Sequence, residues 1–245
     1  QFLEIKVSDD YEPLLRRPFG IHRVKDANIE ILYEVVGKGT EILSRKKPGE
    51  TLDILGPLGN GFNYQLPITN YQSPILVAGG MGVAPLVFLA EKLMEINPPS
   101  LKSFGGLSAE VLTKADKSTN LILLGAKTKS KILCENEFRQ LGCDIKVSTD
   151  DGSKGCKGKV TDLLKNLLST IDHRPLTIYA CGPRPMLKEV AKIANRFKIK
   201  AYGSLEEHMA CGIGVCLGCV IKTKSGYKTV CNDGPIFNLS QIIWG

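Results

Sequence analysis

Four cysteines close to the C-terminus restrict this chain more than any other feature of it. Cys211, Cys216, Cys219 and Cys231 are separated by four, two and eleven residues. That C-x4-C-x2-C…C spacing is the plant-type pattern for two irons bridged by two sulfides, which need four thiolates converging on one point. Gly212, Gly214 and Gly218 lie between the first three cysteines, and a loop without side chains can wrap closely enough to aim backbone amides at sulfur. Val220 to Thr223 and Tyr227 to Val230 read as a hairpin turning at Ser225 and Gly226, which brings Cys231 back to the loop. A structural zinc site is the competing reading, although zinc cysteines usually come as two tight pairs rather than three clustered and one remote. The four cysteines are therefore the expected ligands of a [2Fe-2S] cluster.

Eight cysteines in 245 residues would suit disulfides in a secreted protein. Gln1 to Asp10, however, alternates apolar and polar residues without the basic start and apolar core of a secretory signal. Free thiols and metal ligands in a reducing cytoplasm are the expectation. Cys134, Cys143 and Cys156 have no partner at ligand spacing and read as ordinary thiols. His22, His173 and His208 form no evident metal or triad set. The longest apolar runs, such as Pro74 to Ala78 and Leu121 to Leu124, fall far short of the roughly 20 residues that span a bilayer. The 32 basic residues behind the formal charge of +7 are scattered and not interleaved with aromatics. Neither a membrane nor a nucleic-acid partner is expected.

Three modules follow from the change in texture along the chain. Residues 1–70 hold short alternating segments, Leu3 to Val7, Asn28 to Val36 and Thr51 to Leu55, punctuated by Gly and Pro, as in a small antiparallel β-barrel. Residues 71–200 alternate buried strands (Ile75 to Ala78, Leu121 to Leu124, Ile145 to Ser148, Leu176 to Ala180) with amphipathic helices (Val83 to Glu95, Glu135 to Leu141, Val160 to Leu168, Met186 to Phe197). That pattern predicts a parallel α/β sheet covered on both faces. Asn97 to Ser118, interrupted by Pro98, Pro99, Gly105 and Gly106, reads as an insertion or loop. Residues 201–245 form a small cofactor module around the four cysteines. The fold class is α+β, multidomain.

Two turns in the α/β part point to a nucleotide. Gly79-Gly80-Met81-Gly82 follows the first buried strand and opens a helix, so its amides and the helix dipole can face a pyrophosphate. The same glycines equally serve tight strand-to-helix packing. Cys181-Gly182-Pro183 stands at the end of the last strand, where open α/β sheets bind their ligands. Lys127, Lys129 and Lys131 follow the second strand, where they meet either solvent or a 2′-phosphate. In the barrel part, Arg17-Pro18-Phe19-Gly20 sets a bidentate cation beside an aromatic ring, and Gly37-Lys38-Gly39-Thr40 offers close backbone approach with a hydroxyl. An ordinary turn or a surface arginine accounts for either motif taken alone.

In this order the motifs resemble the ferredoxin reductase superfamily, a flavin barrel followed by a nicotinamide domain. Within it they are most similar to the electron-transfer subunits of type B dihydroorotate dehydrogenase, the PyrK family. The resemblance runs from about residue 13 to 245 and rests on Arg17 to Gly20, Tyr33, Val35 to Thr40, Gly56 to Phe62, Thr149 to Ser153 and Ser204 to Gly214. It implies that Arg17, Pro18, Phe19, Gly20, Leu32, Tyr33, Glu34, Gly39 and Thr40 contact FAD. It also implies that Gly79, Gly80, Gly82, Cys181, Gly182 and Pro183 serve NAD. Two positions depart from the pattern: Gly20 replaces a hydroxyl residue, and Glu34 stands where the family often has a basic one. The implied activity is electron transfer from an FMN-containing catalytic subunit through [2Fe-2S] and FAD to NAD+, in a heterotetramer of two subunits of each kind. A related flavin and iron-sulfur subunit, serving a ferredoxin:NADP reductase, sulfide dehydrogenase or hydrogenase complex, is the alternative.

Overall fold

The computed structural model describes residues 1–64, 74–96, 120–171 and 177–245. The expected loop at Asn97 to Ser118 and His173 lie outside them. The N-terminal part is a four-stranded antiparallel sheet of β1 (Phe2–Lys6), β2 (Arg17–Lys25), β3 (Asn28–Ile31) and β4 (Asp53–Leu58), in the order β3-β2-β1-β4, with helix α1 (Lys38–Ser44) between the last two strands. Strand β1 alternates strictly. Leu3, Ile5 and Val7 pack with Phe19, Ile21 and Leu43 in the core of this module, whereas Phe2 turns into the core of the rest of the molecule. The sequence reading treats Arg17 to Gly20 as a binding motif, and the structure makes it the first half of β2, the longest strand among the described residues.

The larger sheet is built from β5 (Ile75–Gly79), helix α2 (Ala84–Ile96), β6 (Leu121–Ala126), α3 (Glu135–Gln140), β7 (Asp144–Thr149), β8 (Cys156–Lys157), α4 (Val160–Leu168), β9 (Thr177–Cys181), α5 (Arg184–Arg196) and β10 (Lys200–Ser204). Every residue of β5 is buried, as a central parallel strand covered on both faces requires. Alternation sends Leu76, Ala78, Ile122, Leu124 and Tyr179 to the face covered by α2 and α3. It sends Ile75, Val77, Leu123, Ile178 and Ala180 to the face covered by α4 and α5. Pro183 caps α5 and Pro185 sits in its first turn, where a missing N–H costs nothing.

Downstream come the hairpin β11 (Val220–Thr223) and β12 (Gly226–Thr229), then β13 (Ile236–Asn238). The large sheet runs β13-β10-β9-β5-β6-β7-β8, parallel except for β13, which pairs antiparallel with β10. Thus the sheet takes up strands from beyond residue 200, and the cysteine segment is a long excursion between two of them. The hairpin turns one residue earlier than expected. Thr223 pairs with Gly226 and its hydroxyl donates to the Gly226 carbonyl at 2.7 Å, so Lys224 and Ser225 make the turn.

Candidate functional site

Strand order decides where the two nucleotide turns meet. From β5 the chain moves outward to β6, then returns to β9 on the other side of β5. The reversal opens a crevice at the carboxyl ends of β5 and β9, the position at which open α/β sheets bind ligands. Gly82 lies so close to the end of β9 that an added Cβ would stand 2.2 Å from the Cys181 carbonyl oxygen, and one on Gly79 would stand 2.5 Å from Met186 Sδ. Packing therefore accounts for Gly79 and Gly82. Gly80 is different: it takes a left-handed φ of 55° with nothing within 4 Å of the Cβ position, and it is exposed. No packing contact therefore explains that glycine, whose left-handed backbone is what calls for it.

A cavity of about 810 Å3 joins this crevice to the N-terminal module. Pro18, Phe19 and Gly20 on β2 line it, with Leu32, Tyr33 and Glu34 after β3, Thr40 in α1, and Cys181 at the end of β9. Phe19 and Tyr33 meet edge to face at 5.5 Å. Gly20 has open space where a side chain would be, leaving room against the wall for a flat ring. Arg17 is not part of the lining; it lies against Gly39, whose missing Cβ would sit 2.9 Å from Arg17 Nε, and it donates to the Leu15 carbonyl at 2.8 Å. The Thr40 hydroxyl is engaged by its own turn, accepting from the Val36 N–H at 3.0 Å and donating to the Gly37 carbonyl at 3.0 Å. Backbone groups are what this turn has left to offer a ligand. Glu34 is paired with Lys131 Nζ at 2.8 Å, an exposed contact that holds its carboxyl below the usual carboxylate range. Lys131 is thereby engaged, and Lys129 donates its backbone N–H to Ser153.

Several cavity residues receive no binding role from the sequence, although Phe62 and Met81 fall within the Gly56 to Phe62 and Gly79 to Gly82 motifs. Phe62 and Tyr64 enter from beyond β4, Met81 from the glycine turn before α2, and Pro85 and Phe88 from α2 itself. Phe62 packs edge on against Tyr179 at 5.4 Å, and the Tyr179 hydroxyl donates to the Asn63 carbonyl at 2.7 Å. Burial pushes the Cys181 thiol up to about 12, so this group stays protonated and uncharged.

Sulfur and amide contacts link the four cysteines. Cys219 and Cys231 are buried with sulfurs 3.3 Å apart, whereas Cys216 is exposed. Backbone amides point at sulfur: Gly214 N–H donates to Cys231 at 3.1 Å, Cys216 N–H to Cys211 at 3.4 Å, Gly218 N–H to Cys216 at 3.4 Å and Cys231 N–H to Cys219 at 3.4 Å. The amides of Cys216 and Ile213 hold the Cys211 thiol down at about 6, and desolvation pushes that of Cys231 up to about 12. Amide-ringed thiols, two of them inside the core, fit an iron-sulfur cluster, whose cationic irons hold the buried sulfurs as thiolates.

The loop is locked to the N-terminal module. Gly212 rests on Glu4, where an added Cβ would be 2.7 Å from Glu4 Cγ. Asn60 receives the other end: its backbone N–H donates to the Gly234 carbonyl at 2.6 Å and its side-chain amide to the Asn232 carbonyl at 3.0 Å. This contact gives the Gly56 to Phe62 segment its role. Glu4 is almost fully buried, both carboxylate oxygens lack hydrogen-bond partners among the described residues, and desolvation raises its carboxyl to about 7.

Comparison with known proteins agrees with both halves of this geometry. Residues 206–243 match the model of the iron-sulfur cluster binding domain of dihydroorotate dehydrogenase B, and residues 76–192 that of the oxidoreductase NAD-binding domain. The dihydroorotate dehydrogenase B (NAD(+)) electron transfer subunit of Desulforamulus reducens is 37% identical over 100% of this chain and 86% of its own length. A solved chain of the NADH-dependent reduced ferredoxin-NADP oxidoreductase is 31% identical, with a TM-score of 0.78 over 100% of this chain and 79% of that one. The ferredoxin-NADP+ reductase of Plasmodium falciparum, 17% identical with a TM-score of 0.55 over 79% of this chain and 75% of its own, shares the fold. By these likenesses and by its cysteine loop, the chain belongs to the family of dihydroorotate dehydrogenase B electron transfer subunits.

Proposed function

We propose that this chain carries electrons from a catalytic partner that oxidises dihydroorotate, in pyrimidine biosynthesis, to NAD+. The observation that carries the reading is the seating of the four-cysteine loop on β1 and Asn60, in the same module whose β2 and β3 wall the cavity. When bound, a [2Fe-2S] cluster carries electrons singly, and FAD accepts them and delivers a pair to the nicotinamide as hydride. Cys211, Cys216, Cys219 and Cys231 would hold the cluster. Phe19, Gly20 and Tyr33 would orient the flavin ring and keep water from it. Gly80 and the turn after Cys181 would receive the nicotinamide dinucleotide.

The exposed side of the loop supports the partner. Around Cys216 the side chains of Ile213, Val215 and Leu217 are 51%, 75% and 63% exposed, an apolar collar that suits docking of another subunit. The proposal includes an FMN-containing partner, two subunits of each kind, a cytoplasmic location, and domain limits at 1–70, 71–200 and 201–245, with β10 and β13 of the last segment lent to the large sheet. Among the described residues no helix is long and apolar enough to cross a membrane.

The test is co-purification from the native host followed by reconstitution. Dihydroorotate-dependent reduction of NAD+ by the complex is expected, and its absence in a complex loaded with flavin and cluster refutes the reading. The 31% identity to the NADH-dependent reduced ferredoxin-NADP oxidoreductase chain favours a second reading, a subunit of another flavin enzyme. A co-purifying partner without a dihydroorotate dehydrogenase activity would select it.

A further inference from the structure

His22 stands on β2, two residues beyond the cavity-lining Gly20, and is 7% exposed. Its Nδ1 lies 2.8 Å from the carbonyl oxygen of Ala84, at the start of α2. A carbonyl only accepts, so Nδ1 carries the proton and Nε2 keeps a free lone pair. Cys134 and Glu137, at the start of α3, face the same point: one ligand atom from each of the three residues lies within 4.8 Å of the other two. The sequence alone suggests that His22 joins no metal set and that Cys134 is an ordinary thiol; the fold brings both beside Glu137. The sequence could not show it, because the residues lie on separate modules.

We propose that His22 Nε2, Cys134 Sγ and a Glu137 carboxylate oxygen bind a zinc-class divalent cation that ties the flavin strand β2 to the nicotinamide module. A tetrahedral zinc ion spaces its ligand atoms roughly 3.3 to 3.8 Å apart, so modest side-chain rotation closes the set around it. One thiolate, one carboxylate and a neutral imidazole balance a divalent charge. The mixture of sulfur, nitrogen and oxygen donors selects a borderline-soft ion over magnesium or calcium. A histidine whose second nitrogen is fixed by a backbone carbonyl has the outer-shell arrangement usual for metal-binding imidazoles. Arg23, the nearby cation, is engaged by Glu91 at 2.6 Å and Glu30 at 3.7 Å. Water would take the fourth position. The site shares no residue with the four-cysteine loop, and it would pin β2 against α3 beside the existing Arg23–Glu91 and His22–Ala84 contacts.

The experiment uses the protein carrying its flavin and cluster. It is incubated with zinc, passed over a weak chelator, and measured by elemental analysis and zinc K-edge absorption. Retention of about one zinc per chain is expected, with a single sulfur neighbour at about 2.3 Å and lighter ligands at about 2.0 to 2.2 Å. Zinc affinity measured by chelator competition should fall by about tenfold or more in both Cys134→Ser and Glu137→Gln, with iron-sulfur absorbance unchanged. If Cys134→Ser loses that absorbance, Glu137→Gln alone carries the comparison. No retained zinc, equal retention by the variants, or a four-sulfur shell, which would put the metal on the cluster cysteines, each overturns the proposal.

Discussion

Glu4 shows how one residue couples the two halves of the site. With its carboxyl raised from 4.5 to about 7 by desolvation, the folded chain holds the Glu4 proton more tightly than the unfolded chain does. The unfolded state therefore sheds that proton first as pH rises, and Glu4 removes stability progressively between about pH 4.5 and 7. Glu4→Gln should match the wild type near pH 4 and exceed it at pH 8 by about 1–3 kcal/mol in urea titrations. A constant difference across that range would show that Glu4 does not titrate as described. The glycines of the nucleotide turn separate in the same way. Gly82→Ala drives a methyl into backbone at Cys181 and should cost about 1–3 kcal/mol of stability. Gly80→Ala has space but keeps a left-handed φ, so it should cost roughly 1–2 kcal/mol and mainly weaken dinucleotide binding, measured by titration of NADH. If Gly80→Ala bound NADH as the wild type does, the open turn would not be the contact.

At the scale of elements, the segment after β4 acts as a clasp on the cysteine module. Gly59 takes a left-handed φ of 65°, and an added Cβ would stand 2.7 Å from the Gly234 carbonyl oxygen, so this crossing needs glycine. Asn60→Ala leaves the Asn232 and Asp233 carbonyls without their side-chain partner. Each such bond is worth about 1 kcal/mol. The variant should keep its iron-sulfur spectrum, lose a few degrees of thermal stability and pass electrons from cluster to flavin more slowly in stopped-flow measurements. Unchanged melting and unchanged transfer together would mean that the clasp is incidental.

For the whole molecule, the buried cysteines belong to the main core. Cys219 and Cys231 pack in one cluster with Phe2 of β1, Leu205, Val230 and Leu239, so the metal centre, the N-terminal module and the large sheet share one interior. Metal binding is folding energy in such an arrangement. Removing the cluster by chelation under reducing conditions should lower the melting temperature of the whole chain and speed flavin release, followed by calorimetry and flavin fluorescence. A cluster-free chain that melts at the same temperature would show the cysteine module to be independent.

The period of two in β1, the fully apolar β5 and the spacing of three and four in α4 and α5 are properties of neighbouring residues, so the amino-acid sequence by itself determined strands, helices and the four-cysteine motif. It also carried the likeness to a flavin and nicotinamide family, because the motifs occur in a fixed order. Contacts across sequence distance were decided by the tertiary structure. Nothing near Gly79 or Gly82 announces Met186 or Cys181 as the reason for a missing side chain; strand order puts β5 beside β9 and creates that crowding. Asn60 reads only as one residue of a family signature until Asn232 and Asp233 fold back on it, and His22 as a lone histidine until the fold brings Cys134 and Glu137 beside it. The physical reason is that sheet order and packing, which no local pattern encodes, choose which distant surfaces meet.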